Sequence, residues 1–248
     1  MKLSPLAASV FMVAALTGAA SAVTVTVTAV HDATLYEDPA GGQSSGASAF
    51  VMTGRVGTND TSPIRRALVM FDLSSLPAGA VITGAELSMN VTKVKDNTAF
   101  ITTVQRMSAG WTEGSTNAGS GGNGAPADPG DATWLHRSSP SLWATAGGDF
   151  SGTISASQVV SSLGLYTWSG SGLVSDVQAW ANNPAQNFGW VVRGNETTPQ
   201  SVKEFSSREG ATAPSLLITY TVIPEPGGAA LLALAALPLT ARKKYRKQ

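Results

Sequence analysis

Three of the six tryptophans, Trp111, Trp134 and Trp143, flank one irregular stretch rich in glycine and serine. Flat aromatic faces receive the C–H faces of sugar rings, and a few polar side chains then take the hydroxyls. His136 and Arg137 follow Trp134 closely, so a cationic edge stands beside an aromatic. Arg193 and Arg208 lie near the ends of apolar runs, where a guanidinium fork can grip a uronate carboxylate through two parallel bonds. These seven residues are the candidate ligand-binding set. The competing reading is structural: tryptophans packed in a core or loop, and arginines paired with Glu196, Glu204 or Glu209.

Metal and catalytic chemistry is narrower. With no cysteine in the chain, thiolate metal sites, disulfides and cysteine nucleophiles are excluded. The metal to consider is a structural Ca2+ in an all-oxygen site, with Asp32, Glu37 and Asp72 as candidate ligands and Asp38, Asp128 and Asp131 behind them. No Asp-x-Asp-x-Asp-Gly pattern is present, and no other cofactor is expected. His31 and His136 are the only histidines, without a His-Glu-x-x-His pair. Gly42-Gln43-Ser44-Ser45-Gly46 matches G-x-S-x-G in letters only. That motif needs a strand, a sharp elbow and a helix, and Ala47 to Val51 carry no helical pattern. A non-enzyme is expected. Glycosidase carboxylates meet in space and leave no spacing in sequence, so a glycosidase or lyase stays open.

The formal charge is zero, from 16 basic and 16 acidic residues in 248. Six of the basic residues are at the extreme ends, and residues 23–222 hold 15 acidic against 10 basic. An acidic body of this kind lacks the basic face that nucleic-acid binding requires, so no nucleic-acid partner is expected. Met1-Lys2-Leu3, an apolar run from Leu6 to Leu16 and Ala20-Ser21-Ala22 form a secretory signal peptide over residues 1–22, cut after Ala22. Export would use the Sec machinery.

The other end carries Pro224-Glu225-Pro226, an apolar run of 15 residues from Gly227 to Ala241, and Arg242-Lys243-Lys244-Tyr245-Arg246-Lys247. The run is shorter than the ~20 residues of a comfortable membrane span, and the basic residues would hold that end in the cytoplasm. Together these features resemble the PEP-CTERM sorting signal. The resemblance implies that residues 223–248 form a single transmembrane sorting helix transiently anchored in the inner membrane. An exosortase would act near the Pro-Glu-Pro, and the protein would go to the bacterial surface or extracellular matrix.

Short alternating runs fill the rest. Val23 to Val27, Arg66 to Phe71, Ala85 to Val94, Phe100 to Gln105, Gly189 to Val192 and Leu216 to Val222 read as strands. Pro77-Ala78-Gly79 and Asn195-Glu196-Thr197 read as turns. Leu173, Val174, Val177 and Trp180 recur at helical spacing, and Asn182-Asn183-Pro184 ends that helix, with Trp180 facing the core. Residues 114–131 contain almost nothing able to pack and read as a long exposed loop with aromatics anchoring its ends.

The body is similar to a DNRLRE domain, by an ordered set of segments. Asp32-Ala33-Thr34-Leu35-Tyr36 opens it, and Arg66 to Ala80 with Met70-Phe71-Asp72-Leu73-Ser74-Ser75-Leu76-Pro77 follows. Gly110-Trp111-Thr112-Glu113, Ala132-Thr133-Trp134 and Trp143 to Phe150 come next. Val177-Gln178-Ala179-Trp180, Phe188-Gly189-Trp190, Phe205-Ser206-Ser207-Arg208-Glu209 and Pro214 to Tyr220 close it. The resemblance covers residues 25 to 221 and implies a carbohydrate-binding-module-like fold with an extracellular polysaccharide as partner. The fold expected is all-β: a jelly-roll-like antiparallel β-sandwich over residues 23–222 with one short helix. The function expected is a non-catalytic, exosortase-sorted surface protein that binds polysaccharide. The alternatives are a purely structural envelope or matrix protein and a polysaccharide-degrading enzyme.

Overall fold

The computed structural model describes residues 21–222. Ala20, Pro224, Glu225, Pro226, Arg242, Lys243 and Lys244, with the rest of the expected signal peptide and sorting helix, lie outside the described residues. Among the described residues no helix is long and apolar enough to cross a membrane.

The first half of the chain gives β1 (Ala22–Tyr36), β2 (Gln43–Ser44), β3 (Phe50–Arg55), β4 (Ile64–Phe71), β5 (Ala80–Val94) and β6 (Phe100–Met107). After it come β7 (Ala125–Pro126), β8 (His136–Ser138), β9 (Ser141–Leu142), β10 (Phe150–Val160) and β11 (Gly164–Ser169). The helix α1 (Ser171–Asn182) precedes β12 (Trp190–Arg193), β13 (Lys203–Ser206) and β14 (Ser215–Val222). The fold is an all-β, antiparallel sandwich with this one short α-helix. Ala22, the expected cleavage position, is the first residue of β1.

One layer is built on β5, which carries β14 and β13 end to end on one edge and β11 on the other. The second layer runs β4, β12, β6, β10. Two strands belong to both. β1 pairs with β14 up to Thr28, shifts register between Ala29 and His31, and continues against β4. β3 pairs with β13 through Thr53, then reaches β4 from Gly54. Gly54 has φ +103°, and a Cβ there would come within 2.9 Å of the Ser201 carbonyl, so only glycine makes this crossing without strain.

The sequence periods explain the packing. In β5, Ala80 and Ile82 are buried while Val81 and Thr83 face outward. The pairing with β14 skips Thr83; this bulge re-phases the strand, so that Ala85, Leu87, Met89 and Val91 are the buried ones beyond it. β4 is covered on both faces, which suits its unbroken apolar run. Its Ala67, Val69 and Phe71 join the core between the layers, whereas Leu68 joins a second core outside them. In the main core, Trp180 of α1 packs 4.5 Å from Trp190, and Phe71 meets Trp190 edge-on at 6.0 Å. Burying each such side chain is worth ~1.5–3 kcal/mol or more.

Candidate functional site

The second core explains residues 108–149. Ala132, Trp134 and Trp143 from this segment pack on Leu35, Ile64, Leu68, Met107 and Val191, so the segment lies as a strap across the outer face of the β4 layer. Trp143 donates its indole N–H to the Thr133 carbonyl at 2.9 Å. Trp134 is stacked under the Arg66 guanidinium, 4.8 Å away. The two rings are 8% and 5% exposed. Neither offers a face to a sugar, which corrects the expectation of three tryptophan platforms. They are the aromatic anchors of the strap.

Nor is the glycine-rich stretch a free loop. The buried Asp131 carboxylate accepts the Ser115 and Asp128 amides at 2.8 and 2.9 Å and also binds the Thr116 hydroxyl. β2 pairs with β7, the Ala47 amide donates to the Thr116 carbonyl, and the Ala118 amide donates to Ser48 Oγ. A sequence with no apolar anchor is held here by its backbone polar groups, each of which must find a partner once covered. Ser44, the serine of the G-x-S-x-G match, is buried in β2 and donates to the Ala132 carbonyl. Gly46 passes so near the Glu113 carbonyl that a Cβ would overlap it.

The candidate site forms around Gly110–Glu113, where the strap meets the sheet. The Thr112 amide donates to the Arg137 carbonyl at 3.0 Å, which brings β8 alongside. Trp111 is half-buried; its indole N–H donates to the Phe188 carbonyl at 2.9 Å. The His31 ring stands edge-on to Trp111 at 6.4 Å, and its Nδ1 is 3.2 Å from Glu113 Oε2. Arg208 grips Glu113 through Nε and Nη2 at 2.7 and 2.8 Å and reaches Glu209 at 2.8 Å. Arg137 is exposed, with a single long bond of 3.4 Å from Nη1 to the Gly110 carbonyl. Three of the seven predicted residues, Trp111, Arg137 and Arg208, therefore meet along one segment, with His31 added.

Beneath this strip are two acids. Glu113 also accepts the Asp32 amide at 2.7 Å, and the Asp32 carboxyl accepts the Arg208 amide at 2.6 Å. Burial pushes the Asp32 carboxyl up to about 8, and neighbouring Glu209 and Glu113 add to the rise while the Arg208 amide opposes it. The hydrogen bonds that Arg208 donates to Glu113 hold its guanidinium above its ordinary range, against a smaller effect of burial. A protonated Asp32 beside a Glu113 carboxylate has the form of an acid–base pair. Both, however, are inside the fold, 1% and 7% exposed.

The remaining predicted residues are engaged elsewhere. Arg193 holds Glu196 through Nε and Nη2 at 3.1 and 2.7 Å, and Arg66 holds the same carboxylate at 2.7 and 3.1 Å. Burial raises the Glu196 pKa, but the bonds from Arg193 and Arg66 outweigh it and leave the carboxyl below its usual range. Arg193, like Arg208, thus has an acid partner within the chain. His136 is half-buried, with Nδ1 2.9 Å from the Thr133 hydroxyl.

For calcium, Asp32, Glu113 and Glu209 offer oxygens that all lie within 4.8 Å of one another. The charge-compensating group on Glu113 is the Arg208 guanidinium. Glu37 and Asp72 are not in this cluster: Glu37 accepts the Ile64 amide and Asp72 accepts the Ser74 amide and hydroxyl. Sequence reasoning did not single out Glu113, His31 or Arg66. The one local signal for Glu113 is its i, i+2 relation to Trp111, which in extended chain puts both on one side. No family model matches the chain, and no curated protein matches it either.

Proposed function

We propose that this protein is a secreted bacterial surface or matrix protein whose jelly-roll-like sandwich binds extracellular polysaccharide without catalysis. The observation that carries this reading is the strip of His31, Trp111, Arg137 and Arg208 along Gly110–Glu113. An aromatic ring and guanidinium groups gathered on one segment suit a sugar that carries a carboxylate. Arg137 is the cation to engage it, because its one side-chain bond among the described residues is long and its side chain is exposed. Arg208, still 40% exposed, supports it while holding Glu113. Arg208 supplies a positive charge to the buried Glu113, and the Asp32, Glu113 and Glu209 oxygens are the ones a structural calcium would take.

Affinity electrophoresis through gels containing neutral and acidic polysaccharides tests the reading. Retardation by at least one acidic polymer, weakened in Arg137→Ala, is expected; mobility unaffected by every polymer would contradict it. Export through the Sec machinery, a sorting helix in the inner membrane and cleavage by an exosortase rest on the sequences of residues 1–22 and 223–248. Deleting residues 224–248 should shift the protein between membrane and medium, and an unchanged distribution would remove that part.

A purely structural matrix role draws on a different observation. Ile101 and Val159 are directly opposite in the β6–β10 ladder, and they are 63% and 54% exposed. Such an apolar pair suits contact with another protein more than with a sugar. Concentration-dependent light scattering without glycan retention would favour it. A polysaccharide-degrading enzyme needs two carboxylates facing one cleft, whereas Asp32 and Glu113 face each other inside the fold.

A further inference from the structure

A groove opens where the turn between β4 and β5 meets the C-terminal end of α1. Phe71, Leu73, Leu76 and Ala78 line one side, Trp180 and Ala181 the other. Its volume of about 660 Å3 falls within the ~300–1,000 Å3 typical of occupied pockets. The acid on its lining, Asp72, turns its carboxylate back onto Ser74, so the walls are mainly apolar. Trp180 is buried, and its indole N–H has no hydrogen-bond partner among the described residues. Folded proteins rarely leave such a donor unmatched. The strip around Trp111 makes no use of this groove.

The last described strand ends beside it. β14 is antiparallel to β5, with Thr221 opposite Val81 and Val222 opposite Ala80. In that pairing each further residue moves one step back along the other strand, toward Gly79, Ala78 and Pro77. Pro77 and Ala78 are the rim of the groove. The residues after Val222 are Ile223, Pro224, Glu225 and Pro226, about 13 Å of extended chain at ~3.3 Å each. Two prolines favour the polyproline conformation, which has little freedom left to lose and docks on aromatic-lined grooves. Proline also brings no N–H into an apolar site.

We infer that residues 223–226 dock in this groove against Leu76 and Trp180, so that the apolar run beginning at Gly227 departs from a fixed point on the body. The docked segment would shield its own peptide bonds, and an enzyme acting near Pro-Glu-Pro would have to lift it first. The contact follows from the groove and the register of β14, and it stands whether or not the segment is a sorting signal.

The chain contains no cysteine, so an introduced pair reports only on itself. In the full chain, Glu225→Cys is combined either with Ala181→Cys on the far wall or with Val81→Cys, which is exposed on the outer face of β5 beside Val222. An undocked tether closes the Val81→Cys pair at least as fast, because that position is nearer its anchor. Docking predicts that the Ala181→Cys pair closes about tenfold faster under mild oxidation, by the raised effective concentration. Adding Pro224→Gly and Pro226→Gly should abolish the preference. Pro184→Cys, an exposed position on the same wall, serves if Ala181→Cys does not fold. Equal rates, a faster Val81→Cys pair, or mainly disulfide-linked dimers, which would place a second copy in the groove, would overturn the inference.

Discussion

Glu113 is the residue on which the candidate site turns. Its buried carboxylate gathers Arg208, His31 and the Asp32 amide, and Arg208 provides the only fork among them. Arg208→Ala should destabilise the protein by about 1–3 kcal/mol, the cost of leaving a buried charged acceptor short of partners. Urea denaturation measures it, and Arg208→Lys should recover only part, because an ammonium cannot make both parallel bonds. Asp32 gives a signed pH effect. Its carboxyl titrates at about 8 in the folded chain against 3.8 ordinarily, so between those values the folded state holds the extra proton. Stability from this group is therefore complete below about pH 4 and falls as pH rises toward 8. Asp32→Asn keeps an acceptor for the Arg208 amide and should leave Tm unchanged near pH 4 but raise it by several degrees at pH 8.5. Thermal melts of the two proteins across that range check it; an equal difference at both ends would contradict the assignment.

At the scale of elements, the helix and the strap teach different lessons. α1 packs on β5 and β10, and its Gly172 is so close to Ser155 that a Cβ would lie 2.3 Å from the Ser155 carbonyl. In an exposed helix, Gly→Ala is worth roughly 0.5–1 kcal/mol of stability. Gly172→Ala should instead destabilise, by about 1–3 kcal/mol of overpacking, with unchanged or raised stability as the contrary result. The helix itself was legible: Leu173, Val177 and Trp180 at helical spacing are the residues that α1 buries. Its buried Asp176 was not, because the Trp190 indole and Ser155 hydroxyl that satisfy it are brought there only by the fold. The same holds for the strap. Composition alone reads residues 114–131 as exposed loop, since backbone hydrogen bonds to Ser48 and Ala47 leave no trace in side-chain type. Arg208 could be seen to need an acid, but three nearby glutamates were the candidates. Its principal partner, Glu113, is 95 positions away, and the two meet over Asp32 of β1, whose amide binds Glu113 and whose carboxyl binds the Arg208 amide.

For the whole molecule, the acidic body and the exposed Arg137 pull in opposite directions. Residues 23–222 carry five more acidic than basic groups, so an acidic polymer would be repelled by the body as a whole and attracted at Arg137, the Arg208 charge being matched already by Glu113 and Glu209. That balance predicts an affinity that depends on salt and on one surface rather than on net charge. Two of the three tryptophans are in the second core, which leaves Trp111 as the one at the strip, beside the His31 ring, and makes Arg137 the cleanest position to remove. The decisive measurement is isothermal titration calorimetry of the chain and of Arg137→Ala against a panel of neutral and uronate-containing oligosaccharides. Saturable binding of at least one uronate ligand, weakened about tenfold (~1.4 kcal/mol, one charge-assisted contact) in Arg137→Ala with Tm unchanged, is the predicted result. No heat of binding to any of them at millimolar concentration, or binding that Arg137→Ala leaves intact, would contradict it.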